Sequence, residues 1–102
     1  MGIFVKVATA GEISANSGKL VEAGGKQIAL FHVEGKYYAL DNNCTHRGGP
    51  LSEGEVMGAE VECPWHGAHF NLESGHAVRP PAAAGVACYP VRQQGQDIEV
   101  EV

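Results

Sequence analysis

Apolar and polar residues alternate with a period of two along much of the chain. The alternation is clearest at the C-terminus, where Ile98, Val100 and Val102 are separated by acidic residues. Successive side chains of a strand point to opposite faces, so this pattern predicts a half-exposed β-strand. Two longer β-rich runs, residues 26–34 and 36–41, meet at Glu34-Gly35. This junction is typical of a hairpin turn between paired strands.

Further short strands are predicted between clusters of Gly, Pro, Asn and Ser. They cover residues 4–8, 20–23, 60–63, 68–72 and 87–92. Only residues 10–15 favour a short helical turn. Eight short, closely spaced strands predict an all-β fold, either an antiparallel β-sandwich or a barrel. Residues 42–81 break the strand rhythm with glycine pairs and Pro80-Pro81, which indicates a loop-built insertion.

Composition limits the possible classes of protein. The chain has 102 residues, of which 44% are hydrophobic and 19% charged, and this predicts one packed domain over residues 1–102. The net charge of −5 argues against a nucleic-acid partner, because phosphate binding needs clustered Lys and Arg. The sequence has no apolar run of the ~20 residues that a spanning helix needs, and its start is unlike a secretory signal. We therefore expect a cytoplasmic protein without a membrane partner.

Two Cys-His boxes lie inside the loop-rich segment. The first is Cys44-x-His46, the second is Cys63-x-x-His66, and sixteen residues separate His46 from Cys63. Three cysteines cannot all pair in disulfides, so metal binding is the better explanation in a reducing compartment. Two thiolates with two imidazoles are the ligand set of a Rieske [2Fe–2S] centre.

The residues around the boxes, CTHRGGPL and CPWHG, resemble those of the Rieske family and of its bacterial ferredoxin branch. The resemblance implies one [2Fe–2S] cluster per chain, with Cys44 and Cys63 on the inner iron and His46 and His66 on the outer iron. It also implies an antiparallel β-sandwich that carries a small, loop-built cluster-binding subdomain at about residues 42–81. In this family, a proline-bearing loop like Pro80-Pro81 covers the cluster.

Zinc is the competing metal, because two Cys and two His also form a structural zinc site. Zinc ligands usually flank a helix or a knuckle, whereas both boxes here open loops in a strand-rich chain. Pro64 beside Trp65 also matches the Rieske box. These features favour iron and sulfide.

Three positions differ from the respiratory branch of the family that the sequence resembles. Those proteins carry a further Cys in each box, and the two form a disulfide; the matching residues here are Gly49 and Trp65. High-potential members place a hydroxyl donor where this chain has Ala68. Fewer hydrogen bonds to the cluster predict a reduction potential near the low end of the Rieske range.

The resemblance implies an electron carrier, not an enzyme. We expect a monomeric ferredoxin that passes electrons from an NAD(P)H-dependent flavoprotein reductase to a terminal aromatic-ring-hydroxylating dioxygenase. Two alternatives stay open: the small Rieske subunit of an assimilatory nitrite reductase, and a binding module that uses the fold only as a scaffold. No ligand role is expected for His32, His69 or His76, and Cys88 is expected to pack as a small apolar residue.

Overall fold

The computed structural model describes residues 2–43, 49–65, 67–79 and 85–102. These residues form eleven β-strands and one short 3₁₀ helix, and they contain no α-helix. The strands are β1 Phe4–Thr9, β2 Ser17–Ala23, β3 Lys26–Val33, β4 Lys36–Asp41, β5 Glu55–Met57, β6 Glu60–Glu62, β7 His69–Asn71, β8 Ala77–Arg79, β9 Cys88–Tyr89, β10 Val91–Gln94 and β11 Asp97–Glu101. The 3₁₀ helix covers Leu51–Glu53.

The strands form three antiparallel sheets. Their orders are β1-β11-β10, β2-β3-β4-β9 and β5-β6-β7-β8. The predicted all-β fold with antiparallel sheets is therefore confirmed. None of the helices that the described residues form is long and apolar enough to cross a membrane.

Strand β3 separates two hydrophobic cores. Ala29 and Phe31 belong to a core shared with the β5–β8 sheet, whereas Ile28 and Leu30 belong to a core shared with the β1-β11-β10 sheet. All four side chains are fully buried. Because neighbouring residues of a strand face opposite sides, an apolar run without alternation is what a strand between two layers requires. The middle sheet is thus the central layer of the fold.

The predicted insertion at residues 42–81 contains more regular structure than its loops suggested. Two strands were expected there, and the structure adds β5 and β8, which complete a four-stranded sheet. Both are only three residues long, so the period-two signal in them is too short to recognise. The helical turn expected at residues 10–15 is wrong: the chain turns there through one bond from the Glu12 N–H to the Thr9 carbonyl.

The turn between β3 and β4 uses a residue that is poorly suited to it. Both central residues have positive φ, 51° at Glu34 and 79° at Gly35. This is the pattern of a type I′ hairpin turn, for which Asn-Gly is the favoured pair. Glutamate, unlike Asn or Gly, is strained in the left-handed region.

Replacing Glu34 by Asn should therefore stabilise the protein. We expect a gain of about 0.5–1 kcal/mol in the free energy of unfolding, because Asn adopts positive φ at lower cost. Urea unfolding of the holoprotein measures it. The control is Lys36→Asn, an exposed position at the start of β4. A gain at Lys36 equal to that at Glu34 would contradict the assignment to turn geometry.

Candidate functional site

Of the four predicted ligands, the structure describes Cys63. Cys44, His46 and His66 lie outside the described residues, as does the predicted covering segment Pro80-Pro81. The described part of the candidate site consists of the bases of the two loops that carry the boxes and of the residues beside Cys63.

The second box lies in the hairpin between β6 and β7. Cys63 directly follows β6, and its N–H donates a 2.7 Å hydrogen bond to the carbonyl of Ala68 just before β7. Gly67 has a φ of +74°, a left-handed conformation that favours glycine at this turn. Cys63 is 1% exposed and belongs to the core beneath the β5–β8 sheet. The packed core therefore fixes the position of this sulfur and keeps water from it.

A backbone donor faces the sulfur of Cys63. The N–H of Trp65 lies with its nitrogen 3.4 Å from Cys63 Sγ. Donors of this kind stabilise a negatively charged sulfur, and they tune the potential of iron–sulfur centres. A buried cysteine with a backbone donor at its sulfur suits a thiolate ligand. The Trp65 side chain is 47% exposed, so the loop also presents an aromatic surface to solvent.

The base of the first loop is held by Asn42, which is 4% exposed. Its N–H donates to the Gln27 carbonyl over 3.0 Å, and its own carbonyl accepts the Leu51 N–H over 2.8 Å. Its side-chain oxygen Oδ1 accepts the N–H of Ser52, also over 2.8 Å. One buried residue thus joins the strand before the loop to the 3₁₀ helix after it.

The neighbouring Asp41 fixes the same base from the side of β9. Its N–H donates to the Ala87 carbonyl over 2.8 Å, and its Oδ1 accepts the N–H of Asn43 over 3.0 Å. Burial, together with the charge of Asp41, raises the pKa of Tyr89. The start of the first loop therefore carries a carboxylate that orders its backbone.

Replacing Asn42 by Ala should loosen the first loop. The buried N–H of Ser52 would lose its acceptor, at a cost of about 1–3 kcal/mol in the free energy of unfolding. We also expect faster loss of visible absorbance when an iron chelator is added to the holoprotein. Asn43→Ala, at the exposed neighbouring position, is the control. Equal chelation rates in the two variants would mean that Asn42 does not stabilise the loop.

The two boxes meet at Gly49. A Cβ atom at this position would lie 2.6 Å from Cys63 Sγ and 3.2 Å from Trp65 Cβ. Only glycine lets the first loop approach the sulfur this closely without displacing a neighbour. Gly49 and Trp65, the positions that match the respiratory disulfide, are therefore adjacent in space, although these residues cannot form that bond.

A histidine to which the sequence assigned no role lies beside the second box. His69 is 4% exposed, and its Nδ1 lies 3.1 Å from Glu60 Oε1. Its Nε2 lies 3.6 Å from Glu62 Oε2 and has no hydrogen-bond partner among the described residues. The sequence carried a signal for this cluster, because Glu60 and Glu62 are two residues apart on a strand and so share one face. In the structure, Glu62 pairs with His69 across the hairpin.

Cys88 is exposed, so the expectation of a packed apolar side chain is wrong. It lies on β9, a two-residue strand at the edge of the middle sheet. Cys88 pairs with Leu40 on β4, which is fully buried, and the core ends at Leu40. The sequence pattern placed Cys88 on a strand but could not show that the strand is at an edge.

Comparison with known proteins agrees with this geometry. Residues 3–90 match the family model for the Rieske [2Fe-2S] domain. The chain is 39% identical over 82 residues to the ferredoxin component of the naphthalene 1,2-dioxygenase system of Pseudomonas aeruginosa, an alignment that covers 80% of this chain and 79% of the relative.

Solved structures share the fold. The ferredoxin of carbazole 1,9a-dioxygenase from Nocardioides aromaticivorans superposes with a TM-score of 0.92 at 26% identity, covering 95% of each chain. A ferredoxin solved in complex with its oxygenase in carbazole 1,9a-dioxygenase gives 0.90 at 29% identity, covering 96% of this chain and 92% of the other. A protein described as a nitrite reductase small subunit gives a TM-score of 0.85 at 21% identity, with 96% of this chain and 97% of the other covered, which shows a common fold alone.

The family model covers most of the sequence, and the relative from Pseudomonas aeruginosa, which matches over 79% of its own length, is a ferredoxin component. The chain therefore belongs to the Rieske [2Fe–2S] family, and its cofactor is a Rieske-type [2Fe–2S] cluster.

Proposed function

We propose that this protein is the ferredoxin of an aromatic-ring dioxygenase system. It would accept single electrons from an NAD(P)H-dependent flavoprotein reductase and pass them to a terminal oxygenase. The names of its relatives support this role, since they are ferredoxin components and not oxygenases. The carbazole ferredoxin solved with its oxygenase supports the second partner.

The proposed cluster ligands are Cys44, His46, Cys63 and His66, with both cysteines on one iron and both histidines on the other. The observation that carries this assignment is the contact of Gly49, at the end of the first box, with the sulfur of Cys63 in the second. Ligands that are distant in sequence must converge on one cluster, and this contact joins their loops. Residues 42–81, approximately, would then form the cluster-binding subdomain within a single domain that covers residues 1–102.

The bound cluster supplies a one-electron redox couple without an open coordination site for substrate. The described residues have three tasks around it. Burial of Cys63 in the core excludes water from one ligand. The Trp65 N–H directs a donor at the Cys63 sulfur, and Asn42 holds the base of the other loop. A site that is rigid before and after electron transfer needs little reorganisation.

The nitrite reductase alternative has weaker support, because its structural neighbour shares the fold at 21% identity. The dioxygenase ferredoxins are related both in sequence, at 39% identity, and in structure. A cytoplasmic location and a monomeric state complete the proposal. Each agrees with a carrier that must diffuse between two partners.

Metal analysis of the native protein tests the cluster assignment. We expect about two irons and two acid-labile sulfides per chain, with the electron-resonance spectrum of a mixed Cys/His cluster after reduction. His66→Ala should change or abolish that spectrum, whereas Cys88→Ser should leave it intact. One zinc without sulfide would refute the cluster. Loss of the spectrum in Cys88→Ser, with retention in His66→Ala, would refute the ligand set.

A further inference from the structure

The outer side of the β5–β6 hairpin carries three carboxylates. Glu55 on β5 pairs directly with Glu62 on β6, so the two side chains lie on the same face. Glu60 shares that face, because it is two residues from Glu62, whereas Val61 between them is fully buried in the core. We call Glu55, Glu60 and Glu62 the acidic face.

The ion pairs of Lys and Arg that the structure describes lie away from the acidic face. Like charges directly opposite each other on paired strands are destabilising, and Glu55 and Glu62 are such a pair. Across the described ranges, the ion pairs formed by Lys and Arg involve residues of the other two sheets and their loops, namely Lys6–Asp97, Lys19–Glu12 and Arg92–Glu99. The Glu55–Glu62 pair thus places two like charges where they cost stability.

His69 hydrogen-bonds one of these carboxylates and lies close to a second. Its buried ring lies between Glu60 and Glu62, 3.1 Å from the first and 3.6 Å from the second. Both glutamates nevertheless remain partly exposed, with 42% and 37% of their side chains accessible to solvent. Carboxylates that are already ordered lose less conformational entropy when a partner binds. Glu60, which His69 hydrogen-bonds, is therefore preorganised for an interaction.

The acidic face lies directly beside the second box. Glu62 directly precedes Cys63, and its Oε2 lies 3.3 Å from the point where a Cβ on Gly67 would stand. The exposed indole of Trp65 belongs to the same loop. A protein that docks on this loop to exchange an electron would contact the acidic face as well.

We propose that the acidic face is the docking surface for a redox partner that presents clustered Lys or Arg side chains. This inference rests on the proposed carrier function and adds the chemistry of the partner's surface. Redox complexes are short-lived and small, and complementary charge raises their association rate without a large buried area. Carboxylates beside the loop that carries the second box would supply this electrostatic steering.

The test compares Glu55→Lys with Glu101→Lys. Both variants change the net charge equally, but Glu101 lies on β11, in the sheet that the middle sheet separates from the acidic face. Stacked sheets pack about 10 Å apart, so the two outer sheets are about 20 Å apart, roughly two Debye lengths at 0.1 M salt. Glu55→Lys should fold well, because lysine there would face Glu62 with the opposite charge.

Each reduced holoprotein is mixed with one of two one-electron oxidants, cytochrome c as a basic protein or hexacyanoferrate(III) as a small anion. One electron leaves the cluster and reduces one iron(III) to iron(II). For Glu55→Lys we expect the second-order rate with cytochrome c to fall on the order of tenfold at about 0.1 M salt, and the rate with the anion to rise. Glu101→Lys should change both rates by less than about twofold at the same salt concentration.

Equal rates for the two variants with cytochrome c would overturn the docking proposal, since total charge would then explain the effect. Unchanged rates in both would overturn it too. Either result, obtained with protein that contains iron and sulfide and donates electrons, leaves the carrier function standing. Protein that contains no iron and sulfide would instead refute the proposed function itself.

Discussion

Replacing Gly54 by Ala is expected to destabilise the holoprotein strongly and to lower its iron content. A Cβ at Gly54 would overlap the backbone carbonyl of Glu62 and would lie 2.9 Å from Val61 Cγ2. Backbone on the strand that leads into Cys63 cannot move aside as a flexible side chain can. We expect a loss of about 3 kcal/mol in the free energy of unfolding, near the upper part of the range for overpacked sites.

The iron content should fall in the same variant, because displaced β6 would move Cys63 away from the first loop. Urea unfolding and iron analysis per chain measure the two effects. Gly58→Ala is the matched control: it lies in the same sheet's hairpin turn, has a φ of +60° and has open space around its missing Cβ. It should cost about 1 kcal/mol and retain the cluster. Equal losses of stability and of iron in Gly54→Ala and Gly58→Ala would show that the close approach of Gly54 to β6 is unimportant.

The reduction potential is expected to lie well below about 0 mV, in the lower part of a Rieske range that runs from about −150 to +300 mV. Ala68 is fully buried and offers no hydroxyl, and Gly49 and Trp65 cannot form a disulfide. Weak hydrogen bonding leaves the more negative, reduced cluster poorly stabilised, which lowers the potential. Redox titration followed by visible absorbance gives the value.

Ala68→Ser tests the cause of that low potential. A new hydroxyl donor to a charged acceptor contributes about 1.5–3 kcal/mol, and the potential changes only by the amount by which the bond is stronger to the reduced cluster. We therefore expect a rise of at most about 130 mV for one electron. Ala59→Ser, at an exposed position in the β5–β6 turn, should leave the potential unchanged. A wild-type potential near about +300 mV would contradict the prediction. An equal shift in Ala68→Ser and Ala59→Ser would contradict it too, because the shift would then not come from a hydrogen bond between the new hydroxyl and the cluster.

The strands of the sandwich could be predicted from sequence wherever burial imposes a pattern. β11 alternates because one face is buried, with Ile98 and Val100 inside. β3 does not alternate because both of its faces are buried, and residues 28–31 are accordingly all apolar. β5 and β8 could not be recognised, since three residues provide too little pattern to distinguish a strand from a loop.

The candidate site was also only partly predictable from sequence. The spacing of the Cys-His boxes indicates a ligand set, because metal chemistry limits which side chains can bind a cluster. Contacts between the boxes have no such signature in sequence. The approach of Gly49 to Cys63, the hydrogen bonds of Asn42 and the position of His69 each join residues through folding of the chain, not through their spacing along it.

The sequence by itself determined the family, the cofactor and the all-β class, because ligand chemistry and strand periodicity are local properties that can be read from residue order. Only the tertiary structure decided which faces of β3 and β6 meet which layer. It placed Cys88 at an exposed sheet edge and arranged Glu55, Glu60 and Glu62 into one acidic face around a buried histidine. Strand pairing and register set these outcomes. They depend on contacts between residues that are distant in sequence, and no local pattern encodes them.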